Sequence, residues 1–484
     1  MKKDEVRPTV TTFQKLVSAC QNSDCSAEII VKCFEGILTQ LNEHERRAVM
    51  SGHVYTSLIK AYGELNDFDE AFRVFNSIDR ANAQILSSML FVCSAVSPVR
   101  WQDAIIILHT SDVVAGAVGR GRIEYSALSY AVIACSKVNQ WQEGLNLLNI
   151  YGAPTAGKPM VSVDAVNSVI AAAGRAGSPD EAIRILNDMR RYGVSPNERT
   201  YRSVIVACNQ AEHKKSRGIK RKQRFADSSK KGDRETRQST PPSEDPLDFQ
   251  WWEAALSLLR RMKEEGLAPD IQTYSSVISA CEAGGQWQRA LGILRLMTSD
   301  DSIENPNKYC YNAAIAACEK GGAWLEAVEL YERMRDQVEP NFITMNSLLI
   351  ALDKADQKEL AESIYQEALE EKIVQPWKWT MDERSNRILA MDLHKFSIPL
   401  AKISMRNVVD SLVSARPVHQ MNKKLVIVVG KGKGSEDGIR VLMPEVKNFL
   451  SEEYGIKSSV DENNSGRLIV RSEDLVKFVA SRTQ

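Results

Sequence analysis

The chain has 484 residues, about three times the length of a typical single domain, so more than one folded unit is expected. Lys+Arg and Asp+Glu both number 62, a formal net charge of +0, so a uniformly basic nucleic-acid coat or an anionic-membrane binder is not implied and any basic surface must be local. Mean hydropathy is -0.28 and no apolar run reaches the roughly eighteen residues of a membrane span, so a soluble protein without a membrane partner is expected.

The first residues, Met-Lys-Lys-Asp-Glu-Val-Arg-Pro, show neither an apolar core nor the acid-poor, Ser- and Arg-rich character of a targeting segment. Along the chain Cys20, Cys135, Cys208, Cys281 and Cys318 each close a similar tripeptide in one apolar signature on an amphipathic pattern, so one helix is being reused. None of the nine cysteines forms a C-x-x-C pair or a zinc-like Cys/His spacing. They sit in apolar stretches, which predicts free, buried thiols in a reducing compartment and no metal site. A second signature opens the following helix: Trp101-Gln-Asp-Ala, Trp141-Gln-Glu-Gly, Trp252-Glu-Ala-Ala, Trp287-Gln-Arg-Ala and Trp324-Leu-Glu-Ala. Units close on Pro196-Asn197, Pro269-Asp270, Pro306-Asn307 and Pro340-Asn341. Helix, turn, helix and Pro-polar closure, repeating every ~35 residues, predicts an α-helical solenoid in which cysteine and tryptophan pack paired helices.

Between Glu212 and Trp251 a polar segment intervenes, with His213-Lys-Lys-Ser-Arg-Gly-Ile-Lys-Arg-Lys-Gln-Arg followed by Thr240-Pro-Pro-Ser-Glu-Asp-Pro. Its composition predicts disorder over 213–250, as a solvated loop or as a basic arm on phosphates. After Pro376 the period changes. The run from Ile388, a helix over Pro399 to Val413, the strand-like Lys424-Leu-Val-Ile-Val-Val-Gly, a helix from Val441, short strands near Ile456 and Leu468 and a last helix predict a small α/β domain over 385–484.

The phrases Asn197-Glu-Arg-Thr-Tyr-Arg-Ser-Val-Ile-Val-Ala and Asp270-Ile-Gln-Thr-Tyr-Ser-Ser-Val-Ile-Ser-Ala resemble the opening of pentatricopeptide repeats. That resemblance implies about eight or nine repeats over 10–376, clear from Val163 onward and degenerate between Gly52 and Tyr125. It also implies sequence-selective binding of single-stranded RNA, with the fifth and last residues of each repeat choosing the base. The legible pairs are Asn167 with Asn197, Ser275 with Asn307, and Asn312 with Asn341, which imply a pyrimidine (cytidine first), adenosine and a pyrimidine. Arg202 with Asp270 is an unusual pair, and Asn346 lacks a polar partner because Pro376 stands at the closing position. The alternative for all these residues is a purely structural turn or cap role.

Met391-Asp392-Leu393-His394-Lys395 and Val429-Gly430-Lys431-Gly432-Lys433-Gly434 resemble the two signatures of the Smr domain. Asp392 and His394 would then serve phosphodiester cleavage, while Gly430, Lys431, Gly432 and Lys433 bind phosphate through backbone N–H groups and charge. Lys395, Val429 and Gly434 depart from the family pattern, so endonuclease and inert clamp both stand. No cofactor is assigned. Similarity to pentatricopeptide-Smr proteins implies RNA processing or expression in a plastid or mitochondrion, by a monomer with DNA as a second candidate partner. A non-catalytic RNA stabiliser, a peptide-binding solenoid and a branched-DNA nicking protein are the alternatives.

Overall fold

The computed structural model describes residues 15, 26–38, 50–78, 81–118, 125–154, 160–229, 250–299, 305–381, 387–414, 424–430 and 442–482. Two compact units divide it, Met1–Ala280 and Cys281–Gln484. The first holds α1 (Ala27–Leu38), α2 (Gly52–Glu64), α3 (Phe68–Asn76), α4 (Ala83–Ala95), α5 (Trp101–Val118), α6 (Tyr125–Lys137), α7 (Trp141–Tyr151), α8 (Val163–Ala176), α9 (Pro179–Asp188), α10 (Glu198–Ser229) and α11 (Trp251–Glu264). Then α12 (Ile271–Ala283) runs across the division, followed by α13 (Trp287–Ser299), α14 (Lys308–Gly321), α15 (Trp324–Gln337), α16 (Phe342–Lys354) and α17 (Lys358–Glu370).

First helices pack on first helices because their inner faces are built of small residues. A Cβ added to Gly174 would stand 2.7 Å from that of Ala207, so α8 and α10 approach too closely for anything but glycine. In the second unit a Cβ on Gly321 would overlap the indole of Trp287. Cys93, Cys135, Cys208 and Cys318 are fully buried on these faces. Successive first helices are also latched by cations. Lys137 donates to the Ser94 carbonyl at 2.7 Å, Arg175 to Ser136 at 3.1 Å, Lys320 to Glu282 at 3.2 Å and Lys354 to Glu319 at 3.3 Å. Each places a positive charge on the negative end of the preceding helix, where last-turn carbonyls lack intrahelical partners.

Burial pushes the thiols of Cys93, Cys135, Cys208 and Cys318 up to about 12. At neutral pH these four should resist iodoacetamide until the chain is unfolded, which mass spectrometry of pulse-alkylated protein would read. Because the unfolded thiols ionise first, their contribution to stability is complete below the ordinary value of 9.0 and is lost as pH rises from there towards 12. Urea midpoints measured across that range should fall. A flat alkaline profile would contradict the burial.

The segment expected to be disordered differs from expectation in its first part. α10 continues without a break to Ser229, through Lys, Arg, Gln and Ala, which are strong helix formers. Residues 230–249 lie outside the described set. The Glu212 carboxylate, 4 % exposed, accepts from the backbone N–H groups of Trp251 at 2.7 Å and Trp252 at 3.3 Å. This caps α11 and closes the helix pair on both sides of the insertion.

In the tail, β1 (Trp377–Met381), β2 (Arg387–Asp392), α18 (Ile398–Ser414), β3 (Leu425–Val428), α19 (Leu442–Tyr454), β4 (Ser458–Val460), β5 (Arg467–Val470) and α20 (Ser472–Arg482) form a small α/β domain. Strand order is β1-β2-β3-β5-β4, with only the β2–β3 pair parallel. Met391, Ile427, Leu468 and Val470 face Met405, Val409, Phe449 and Val479 in one core. The sheet starts at β1, ahead of the expected boundary at 385. Trp377 and Trp379 are 42 % and 59 % exposed, so β1 has no buried alternation to announce it and is defined by its pairing with β2. The fold is thus a helical repeat solenoid followed by a small α/β domain. No helix among the described residues is long and apolar enough to cross a membrane.

Candidate nucleic-acid interface

A helix start leaves backbone N–H groups without partners, and the Pro-Asn and Pro-Asp closures supply them. Asn197 accepts from the Thr200 backbone N–H at 3.0 Å and from its hydroxyl at 2.9 Å, while Thr200 accepts from the Asn197 N–H at 3.0 Å. Asp270 accepts from the N–H and hydroxyl of Thr273 at 2.8 and 2.6 Å. Asn307 caps α14 through Tyr309 and Cys310 at 3.0 and 3.1 Å. Asn341 caps α16 through Ile343 and Thr344 at 2.9 and 3.1 Å, and Thr344 returns a bond to its N–H. Thr200, Thr273 and Thr344 are completely buried. This explains why threonine recurs in the repeat opening.

The preceding repeat completes three of these four caps. Asn167 donates to the Asn197 carbonyl oxygen at 3.3 Å, and Asn312 donates to that of Asn341 at 3.4 Å while accepting from the Thr344 hydroxyl at 2.6 Å. Arg202, paired with Asp270 only by sequence position, forms an ion pair with it. Burial raises the Asp270 carboxyl, but the Thr273 bonds and the Arg202 charge outweigh it and hold the group below its ordinary value. The structure therefore joins three of the anticipated pairs. Ser275 bonds the Gln272 carbonyl at 3.1 Å. Asn346 has Pro376 at its closing position, and its side-chain oxygen instead accepts from the Ser397 N–H at 3.1 Å.

Burial differs from what open reading residues require. Asn167 and Asn312 are 2 % and 8 % exposed, whereas Asn197 is exposed. In Asn197 the cap uses the carbonyl oxygen, which orients the NH2 group, with two donors, away from the cap. Tyr309 and Ile343 were not anticipated. They are 65 % and 60 % exposed, one helical turn before Asn312 and Asn346 on the same helix faces. Their only sequence signal is an apolar residue where periodicity calls for a polar one.

In the tail, Asp392 ends β2 and His394 enters the turn that follows, closed by Phe396 N–H donating to the Leu393 carbonyl at 2.9 Å. His394 Nδ1 bonds Asp392 Oδ1, which also accepts the His394 backbone N–H at 3.3 Å. Lys378 on β1 lies 3.7 Å from the other carboxylate oxygen. The Asp392 and His394 side chains are 15 % and 41 % exposed, so a carboxylate anchored by sheet and lysine orients an accessible imidazole. Gly430 has φ +83°, a left-handed conformation that favours glycine, and a Cβ there would touch His394 at 3.4 Å. Lys431, Gly432 and Lys433 lie outside the described residues. Among the described residues no group of three His, Cys, Asp or Glu side chains is placed to hold a metal ion.

Family comparisons find the PPR repeat family at residues 161–210, the pentatricopeptide repeat domain at 257–320, and the PPR repeat at 53–82 and 309–337. No curated protein matches the chain. Among solved structures it is similar to the PPR domain of Arabidopsis thaliana protein-only RNase P 1 in complex with tRNA, at 15 % identity over 45 % of this chain and 90 % of that one, with a TM-score of 0.31. It is also similar to the pentatricopeptide repeat protein PPR10 in complex with an 18-nt psaJ RNA element, at 15 % identity over 92 % and 67 % of the two chains, TM-score 0.34. For PPR10 from maize the values are 15 %, 93 %, 66 % and 0.26. Residues 53–82, 161–210, 257–320 and 309–337 thus match pentatricopeptide repeats, in agreement with the helix pairs and the recurrent Thr-based caps.

Proposed function

We propose that the repeats bind single-stranded RNA, one base per helix pair, and that the tail is an Smr-type domain acting on the same RNA. The observation that supports binding most is the amide pair Asn167/Asn197, repeated as Asn312/Asn341, in which one side of each closing amide is committed to the cap and the other is left to a ligand. An NH2 group so oriented donates to base acceptors, such as O2 and N3 of cytidine. Exposed Tyr309 and Ile343 supply apolar faces for bases beside these groups. From the resemblance to pentatricopeptide-Smr proteins we infer a role in RNA processing or expression in a plastid or mitochondrion.

Asn197→Asp tests the reading, because aspartate caps the helix equally well but replaces two donors with an acceptor. Preference at that position should move from cytidine towards uridine, whose N3–H donates, by about 10-fold. Competitive filter binding with RNAs varied one base at a time reads this. Unchanged preference at every position would sink base reading, and equal competition by peptides or branched DNA would sink RNA as the ligand.

Cleavage is favoured over inert clamping by the Asp392–His394 pair. With Nδ1 held by the carboxylate, Nε2 accepts the proton of a ribose 2′-hydroxyl. The 2′ oxygen attacks phosphorus, the bond to the 5′ oxygen breaks, and that oxygen takes the proton back from the imidazolium. The products are a 2′,3′-cyclic phosphate and a 5′-hydroxyl, with no oxidant or co-reactant consumed.

A further inference from the structure

The closing positions of the last helix pair are used differently from the others. There the fifth and last residues are Asn346 and Pro376, and both hold the tail. Asn346 accepts the Ser397 N–H at 3.1 Å, and the Pro376 carbonyl accepts the Asp392 N–H at 2.6 Å. The segment between these two anchors, 392–397, carries the Asp392–His394 pair. Phe396 lies against Phe342 with ring centres 5.3 Å apart, and Arg406 on α18 reaches Glu362 on α17 at 3.1 Å, so the segment and the helix after it are both tied to the last helix pair.

We propose that the Asp392–His394 pair occupies the base-reading place of the last repeat, with Asn346 as the positioning residue that sets its register. RNA passing the Asn312/Asn341 pair then meets the imidazole within about two nucleotides, since one helical repeat takes one base. Packed helices spaced ~8–10 Å apart give the same reach. Asn346 consequently selects no base. The inference rests on RNA binding by the repeats, and its chemical consequence rests on cleavage by the tail.

Two measurements separate these layers. An iron chelate tethered at Lys395→Cys, with Cys20, Cys25 and Cys33 replaced by serine, generates hydroxyl radicals whether or not the tail is an enzyme. On RNA selected by wild-type protein from a randomised single-stranded pool, scission should be confined to about two nucleotides at one end of the protected segment. Scission along the whole segment, or at its middle, overturns the register. In the second, the bond cut by the chain itself is mapped for wild type, Asn346→Ala and Asn346→Asp. Alanine, lacking the acceptor, should lower cleavage at that bond about 10- to 100-fold. Aspartate, which keeps an acceptor oxygen, should restore it. Both should leave RNA Kd within about 2-fold, as for a substitution outside the reading contacts. Localised radical scission without self-cleavage would remove the enzymatic reading and leave the register standing. Altered base preference in Asn346→Asp would overturn the inference.

Discussion

Alanine at His394 or Asp392 is expected to slow RNA cleavage by about 10²- to 10⁴-fold, the range over which a positioned acid or base contributes. RNA affinity should hardly move, because neither residue belongs to the amide pairs proposed above to meet bases. The carboxylate is expected to matter as much through orientation as through charge. It bonds both the imidazole and the backbone N–H of His394, and Lys378 holds its other oxygen. Asp392→Asn would keep this shape yet offer an NH2 donor to Nδ1, favouring the tautomer whose Nε2 carries a proton and cannot act as base. Its loss should therefore approach that of alanine. End-labelled RNA incubated with each variant, with filter binding on the same preparations, gives both numbers. Product bands forming at the wild-type rate in His394→Ala would refute catalysis by the tail and leave binding as its role.

Thr344→Val should destabilise the chain by about 2 kcal/mol or more, although the two side chains have nearly the same shape. The Thr344 hydroxyl is wholly buried, donates to Asn312 at 2.6 Å and accepts from the Asn341 N–H at 3.1 Å. Valine leaves one acceptor and one donor without partners, at roughly 1–3 kcal/mol each, less where water reaches the half-buried Asn341. Thr344→Ser keeps the hydroxyl and should recover most of the loss. Urea denaturation of the three proteins decides it. A valine variant as stable as wild type would mean that this network contributes no net stability.

The repeats were legible because the same local problem is solved many times with the same residues. A proline ends one pair, an Asn or Asp caps the next helix, and at three of the four closures a threonine three residues on closes the cap. Other features depend on partners distant in sequence. Nothing near Asn346 announces that its oxygen meets Ser397, 51 residues away. Nor does local pattern show that Asn167 and Asn312 are covered by the neighbouring cap, since their identity suits exposed and buried hydrogen bonding equally. β1 has no local signature, because an edge strand with two exposed tryptophans lacks an inward apolar row. The helix through Arg217 and Lys220 is masked in the sequence because the same Lys and Arg residues that favour helix also give the clustered charge typical of disordered segments. In the tail, Asp392 and His394 could be named from their motif, but the anchoring of their segment by Pro376 could not.

The paired amides carry a cost for any change of target. Asn312 helps to complete the helix start of its successor, so on the reading proposed above the atoms that would confer selectivity also join one module to the next. Retuning such a position for another nucleotide alters the joint together with the message, and the nearest-neighbour cohesion that lets stacked modules fold as a group changes with it. Libraries built to redirect this array should yield variants whose melting behaviour tracks their altered preference, with the best survivors carrying a compensating change at the buried threonine.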